Sequence, residues 1–130
     1  MDSQAFLNSA FRYAVVGATT NEAKYGYRVL KDLHGAGFDV VGVNPKHTEI
    51  AGVACFPSLG ELPHKPDVAV VVVPPTVGLQ ILEQAANLSI KKLWYQPGAE
   101  SHDIYHRAHE LGVSLNDPGT CIMVARRLIA

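Results

Sequence analysis

The sequence predicts an α/β sandwich with a mostly parallel sheet of five strands, and three observations carry that expectation. Strand and helix signals alternate from one end of the chain to the other. The run from Val68 to Val73 shows no polar alternation, as a strand covered on both faces requires, and such strands belong to parallel sheets. In Tyr13 to Gly26, YAVVGATTNEAKYG, an apolar β-forming run breaks into small residues and then opens an amphipathic helix. Right-handed crossovers leave few other arrangements for such elements.

Each element has its own signal. Met1 to Ala10, with Phe6, Leu7 and Ala10, reads as a short helix against the domain edge. Tyr13 to Gly17 is the first strand. The helix opening at Gly26 puts Val29, Leu30 and Leu33 on one face and ends at Gly35-Ala36-Gly37, where glycine can take the left-handed conformation. Phe38 to Val43 is the second strand, ending at Asn44-Pro45-Lys46. Ile50 to Phe56 has room for a short extended piece, and Ser58-Leu59-Gly60-Glu61 has the capping-box form of one helical turn. Val68 to Val73 is the third strand, stopped by Pro74-Pro75. From Thr76 onward, Val77, Ile81, Leu82 and Ala85 form a helical stripe; Lys92 to Tyr95 is the fourth strand and Gln96-Pro97-Gly98 its exit. Ser101 caps the next helix, with Asp103 in its first turn and Ile104, Ala108 and Leu111 on its buried face, and Val113 to Leu115 is the fifth strand. The expected architecture is a Rossmann-like three-layer sandwich.

Composition narrows the function. At 130 residues, 48% hydrophobic and 18% charged, the chain is expected to form one domain over residues 1–130. Lysine and arginine number 11 against 12 acidic residues, so no general basic field argues for nucleic acid or an anionic membrane. The chain shows no charged start followed by an apolar core and cleavage site, and no apolar run of roughly 18–20 residues; a cytoplasmic location is expected. Cys55 and Cys121 make no C-x-x-C pair and are expected to be reduced thiols. Cys55, beside Phe56-Pro57, reads as a small buried residue. Cys121 follows the turn Asp117-Pro118-Gly119-Thr120, which favours exposure, with a reactive thiol as the lesser reading.

Ligands of open parallel sheets sit outside the carboxyl ends of the strands, where successive connections diverge. Four segments lie there: Gly17-Ala18-Thr19-Thr20, Asn44-Pro45-Lys46, Val73-Pro74-Pro75 and Gln96-Pro97-Gly98. The first, feeding a helix N-terminus, brings free N–H groups and the positive end of a helix dipole together, which suits the phosphates of a nucleotide. Two of the three glycines of G-x-G-x-x-G are missing, because its positions hold Gly17, Thr19 and Glu22, and no G-K-[ST] follows, so an ordinary turn is the plain alternative. Lys24-Tyr25-Gly26 favours the site, since a cation, a ring and an unhindered backbone, open to close approach by the ligand, stand beside it.

The second strand ends without the acidic residue that an NAD-binding domain uses for its ribose hydroxyls. Lys46 stands there instead, with His47 nearby, and suits a phosphorylated ribose: the 2′-phosphate of NADP or the 3′-phosphate of coenzyme A. Pro74-Pro75 offers a flat apolar wall for an adenine, or merely opens a helix.

AVVGATTNEAKYGYRVLKDL, VVGVNPKHTEIAGVACFPSLGEL, DVAVVVVPP and KKLWYQPGAES, with a looser match at NDPGTCIMV, resemble the small stand-alone CoA-binding proteins. Their domain is similar to the N-terminal CoA-binding domain of the succinyl-CoA synthetase alpha subunit. The resemblance runs from Phe11 to Leu128. It implies that Gly17, Ala18, Thr19 and Thr20 hold the pyrophosphate, with Lys24, Tyr25 and Gly26 closing over it. It implies further that Asn44, Pro45 and Lys46 meet the phosphorylated ribose, that Val73 and Pro74 line the adenine, and that Gln96, Pro97 and Gly98 lie toward the pantetheine arm. The chain departs from the family at CIMVARRLIA, where a Glu-His pair is missing.

The expected function is non-catalytic binding of coenzyme A or an acyl-CoA; the alternative is an NADP-binding reductase-like enzyme or subunit. A ligase needs a phosphorylatable histidine and a nucleotide-grasp region, and a reductase needs a second site for its substrate; no segment is left over for either. His102, His106 and His109 share a helix whose face reads as solvated, and no H-E-x-x-H is present, so no metal or catalytic residue is assigned. No nucleic acid or membrane is expected as a partner.

Overall fold

The structure, a computed structural model, describes residues 3–128. Its strands are β1 (Arg12–Val16), β2 (Asp39–Val43), β3 (Glu49–Ile50), β4 (Val53–Phe56), β5 (Val68–Val71), β6 (Lys92–Tyr95) and β7 (Ser114–Leu115). They form one sheet in the order β3-β4-β2-β1-β5-β6-β7. Every pairing is parallel except the antiparallel one between β3 and β4. The helices are α1 (Tyr25–Gly35), α2 (Pro75–Asn87), α3 (His102–Leu111) and α4 (Ile122–Ala125).

The sheet has seven strands where five are expected from sequence. The two additions make a hairpin over Glu49 to Phe56, where the sequence predicts one extended piece in Ile50 to Phe56. Its turn is Ala51-Gly52, with φ of +53° and +79°, a geometry suited to joining twisted antiparallel strands. Alanine seldom takes positive φ, so the turn carries no recognisable signature. The third expected strand also stops at Val71, two residues early. The N-terminal helix is a single 3-10 turn over Ser3–Phe6, with Met1 and Asp2 of that expectation outside the described residues.

Strand alternation places one set of side chains on each face of the sheet. Tyr13, Val15, Val68, Val70 and Trp94 pack with Val29, Leu30 and Leu33 of α1 and with Ile122 of α4. Ala14, Val16, Ala69, Val71, Leu93 and Tyr95 pack with Ile81, Leu82 and Ala85 of α2 and with Ile104 and Ala108 of α3. This is the three-layer arrangement, with each central strand buried on both sides. Gly78 lets α2 lie close over β6, where a Cβ would meet the Tyr95 ring and Ile104, and the Tyr95 hydroxyl donates to the Gly78 carbonyl at 2.8 Å. Burial there pushes the Tyr95 phenol well above its ordinary range.

Beyond β7 the short edge is completed by a side chain. Asn116, 2% exposed, accepts from the Tyr95 N–H at 2.7 Å and donates to the Tyr95 carbonyl at 3.1 Å and to Thr120 Oγ1 at 2.9 Å. Replacing it by alanine strands two buried backbone groups of β6, each costing about 1–3 kcal/mol when unpaired. Asn116→Ala is therefore expected to lower stability by about 2–3 kcal/mol in urea unfolding; a change under about 0.5 kcal/mol, the size of an ordinary surface substitution, would show that water replaces the amide.

Candidate functional site

The chain leaves β1 for β2 on one side and, after the hairpin, crosses to β5 on the other, so β1 marks the switch point of the sheet. Gly17 follows it with φ of +97°, and it has no room for a Cβ against the Val72 carbonyl and the Val73 side chain. Ala18 is buried against Gly42 of β2. Thr19 Oγ1 accepts from the Asn21 N–H at 3.2 Å, and Asn21 Oδ1 accepts from the Ala23 N–H at 3.0 Å. These bonds fold a compact loop that delivers Lys24 to the N-cap of α1.

No side chain caps α1. The N–H groups of Ala18, Thr19 and Thr20 meet no protein acceptor among the described residues. Free donors beside the uncapped N-terminus of an eleven-residue helix are an arrangement able to receive an anion. Thr20 and Lys24 are exposed at its edge. Gly26 is buried, and a Cβ on it would strike the Gly17 carbonyl oxygen. The close approach at Gly26 is thus made by the loop's own backbone, which seats the helix against the loop.

Asn44 brackets the loop from the β2 side. Its Nδ2 donates to the Ala18 carbonyl at 2.8 Å, and its Oδ1 accepts from the Lys46 N–H at 2.8 Å. The amide is spent on the scaffold, and the bond to Lys46 N–H fixes the turn that carries Pro45 and Lys46 out to solvent. Lys46 makes no ion pair among the described residues.

On the β5 side a cavity of about 550 Å³ opens. Tyr25, Val73, Pro74, Gln96, Pro97 and Gly98, six of the residues expected from sequence, lie in its wall. Pro75, at the start of α2, lines it too, along with Val72, Ala99 and Cys121. Of these last three, only Cys121 carries a sequence signal, the turn before it. The wall is mainly apolar: three of its residues are prolines, which carry no N–H, and several of its backbone donors are used internally. Gln96 N–H bonds the Val71 carbonyl at 3.1 Å, Ala99 N–H the Gln96 carbonyl at 2.9 Å, and Gly98 N–H Glu100 Oε1 at 2.6 Å. The expected residues therefore fall into two groups on either side of β1, one rich in donors and one apolar.

Among the described residues, no group of three or more histidine, cysteine or acidic side chains is placed to hold a metal, and no helix is long and apolar enough to cross a membrane. His102, His106 and His109 are exposed on α3.

Comparison with known proteins bears on this site. The model of a CoA-binding domain family matches residues 12–127. ADP-forming acetate-CoA ligase I of Archaeoglobus fulgidus is 35% identical over 78 residues, which is 60% of this chain and 11% of the ligase. A conserved hypothetical protein of Pyrococcus furiosus is 50% identical with a TM-score of 0.84, over 88% of this chain and 98% of that one. A dinucleotide-forming acetyl-coenzyme A synthetase of Ca. Korarchaeum cryptofilum is 27% identical with a TM-score of 0.76, over 91% of this chain and 28% of the synthetase.

The packing at Gly26 yields a test. Gly26→Ala forces the loop and α1 apart, and overpacking of this kind costs about 1–3 kcal/mol. At Gly35, in the same helix, an added Cβ would meet nothing within 4 Å. Gly35→Ala should leave the unfolding free energy measured in urea unchanged or raise it by up to about 1 kcal/mol. Equal effects at the two sites would mean that the contact with Gly17 is not rigid.

Proposed function

This chain belongs to the CoA-binding domain family, and we propose that it binds coenzyme A or an acyl-CoA without itself catalysing a reaction. The observation that carries the reading is the convergence of three free loop N–H groups and an uncapped helix N-terminus beside an apolar cavity. The pyrophosphate takes the donors of Ala18, Thr19 and Thr20, with the Lys24 ammonium at its edge. Lys46 pairs with the 3′-phosphate of the ribose, and the adenine lies toward Val73 and Pro74. The pantetheine arm continues past Tyr25 along Gln96, Pro97 and Gly98. Asn44, Ala18 and Gly26 serve this ligand indirectly, by holding the loops that touch it.

The ligase relatives support the ligand class, and the chain spans about a tenth of the length of the one compared, 11%. The machinery that a ligase needs for nucleotide hydrolysis and acyl transfer has no counterpart among the side-chain clusters described above, so these 130 residues are expected to bind without CoA- and ATP-dependent turnover. Denaturing the purified protein and weighing what it releases tests the ligand class. A CoA species is expected, and recovery of NADP(H) would overturn the reading.

Lys46 separates the possibilities at the level of one residue. A charge-assisted hydrogen bond contributes roughly 1.5–3 kcal/mol, and each 1.4 kcal/mol is about tenfold in affinity. The wild-type protein is expected to prefer CoA over dephospho-CoA by about tenfold or more in calorimetry. In Lys46→Ala that preference should collapse through weaker CoA binding, and raised salt should erode it in the wild type because Lys46 is exposed. Equal wild-type affinities for the two ligands would show that Lys46 is only a surface lysine.

A further inference from the structure

The cavity on the β5 side differs in charge from one end to the other. Its Tyr25 end adjoins cations, since Lys24 precedes Tyr25 in the chain and the Arg28 guanidinium lies 5.7 Å from the centre of the Tyr25 ring. Its other end, at the exit of β6, is lined by Gln96, Pro97, Gly98, Ala99 and Cys121. No lysine, arginine or histidine is among the described residues of the lining. The segments that build this end bring no free cation to it. Val68 to Ile90 contains no lysine or arginine, and Leu93 to Ala125 contains only Arg107. Arg107 is held by Glu83 at 2.6 Å and by Glu110 at 3.4 Å, and Arg126 beyond it is bound to Asp32 of α1.

A carboxylate stands at that end instead. Glu100 is half-buried, with Oε1 accepting from the Gly98 N–H at 2.6 Å and Oε2 from the Gly119 N–H at 3.3 Å. Gly98 belongs to the cavity wall and Gly119 comes two residues before Cys121, so one carboxylate bridges the two loops at which the cavity ends. Both polar atoms of Gln96 are engaged as well, Nε2 with Cys121 Sγ at 3.3 Å and Oε1 with the Ile122 N–H at 2.8 Å. The start of α2 lies in the same wall, and a helix N-terminus ordinarily favours an anion. Its N-cap and first residue are Pro74 and Pro75, which carry no N–H, so it presents rings to the cavity in place of donors.

We propose that the acyl group this cavity takes is uncharged, so that the site selects neutral acyl thioesters of CoA against those of dicarboxylic acids, with Glu100 the residue that sets the preference. The inference rests on the CoA reading above. A pantetheine arm leaving the β1 loop crosses two strand spacings, about 10 Å, to reach β6, and in extended form it is longer than that. Its thioester and the acyl group beyond it therefore come to the Glu100 end. A methyl-terminated chain meets an apolar wall there. A chain ending in a carboxylate gives up water without gaining a cation, and it brings its charge toward that of Glu100.

Calorimetry with butyryl-CoA and succinyl-CoA, which have acyl groups of equal carbon count ending in methyl and carboxylate, tests this. The wild type is expected to bind butyryl-CoA about tenfold or more tightly than succinyl-CoA, the effect of one unfavourable charge near a protein surface. In Glu100→Gln, which keeps an acceptor for the Gly98 N–H, that ratio should fall by about threefold or more. A purely structural role for Glu100 would weaken both ligands together and leave the ratio alone. Raised salt should lower the ratio in the wild type too, since Glu100 is partly exposed. Succinyl-CoA binding as tightly as butyryl-CoA, or free CoA binding while neither thioester does, would overturn the proposal. A ratio unmoved both by Glu100→Gln and by salt would overturn the role of Glu100. Free CoA separates the two levels: if it binds, a failed ratio removes the acyl preference alone, whereas no binding of CoA or either thioester removes the CoA reading with it.

Discussion

Three backbones meet at the end of β1 with no space for a side chain between them, and the site depends on that meeting. Gly17 faces the Val72 carbonyl, and Gly26 faces the carbonyl of Gly17. β1, the exit of β5 and the first turn of α1 are therefore as close as peptide groups can come. This proximity sets the uncapped end of α1 beside the free donors of Ala18, Thr19 and Thr20. A helix pushed outward by one methyl group would keep its dipole but lose the convergence, and the field of a helix end falls off within its first turn. Two glycines thus do the work that three do in the G-x-G-x-x-G loop, with the tight turn assigned to Gly17 and the close helix packing to Gly26.

Amide side chains then fix the loops that the strands leave unpaired. Asn44 joins the end of β2 to the β1 loop, Asn116 extends the pairing of β6 beyond β7, and Gln96 ties the exit of β6 to Cys121 and Ile122. Each offers a donor and an acceptor on one planar group, as a peptide does, so each can finish a ladder where the backbone turns away. The rim of the site is ordered before a ligand arrives, and the entropy of ordering those loops is not charged to binding.

The central strands and long helices are legible because their signals are local: unbroken apolar runs at Tyr13–Val16 and Val68–Val71, and one-sided stripes in α1, α2 and α3. The β3-β4 hairpin is not, because strands of two and four residues joined through an alanine at positive φ offer neither period nor turn signature. The location of the site is legible from strand ends. Its division of labour is not, because the bonds that assign it join residues about 25 positions apart, Asn44 to Ala18 and Gln96 to Cys121, and no periodicity encodes them. The C-terminal departure from the family pattern also acquires a physical account. Arg126, where a polar pair is missing, makes a two-pronged ion pair with Asp32 of α1 at 2.8 and 2.9 Å and so anchors α4 across the first face of the sheet.

The contrast between the two halves of the site bears on which nucleotide it suits. On the β1 and β2 side stand open N–H groups and exposed lysines; on the β5 and β6 side stand Pro74, Pro75 and Pro97, which carry no N–H, and the N–H groups of Gln96, Gly98 and Ala99, which are already bonded. A dinucleotide would bring a second ribose and a carboxamide to the latter wall, which is mainly apolar, and polar groups desolvated without partners each cost free energy. A pantetheine arm brings methyl and methylene groups with two amides and a single terminal sulfur. It would leave most of its surface to the proline wall. Such a wall would suit the arm of coenzyme A better than a nicotinamide riboside, an argument that follows from its apolar lining and does not depend on any contact at Lys46.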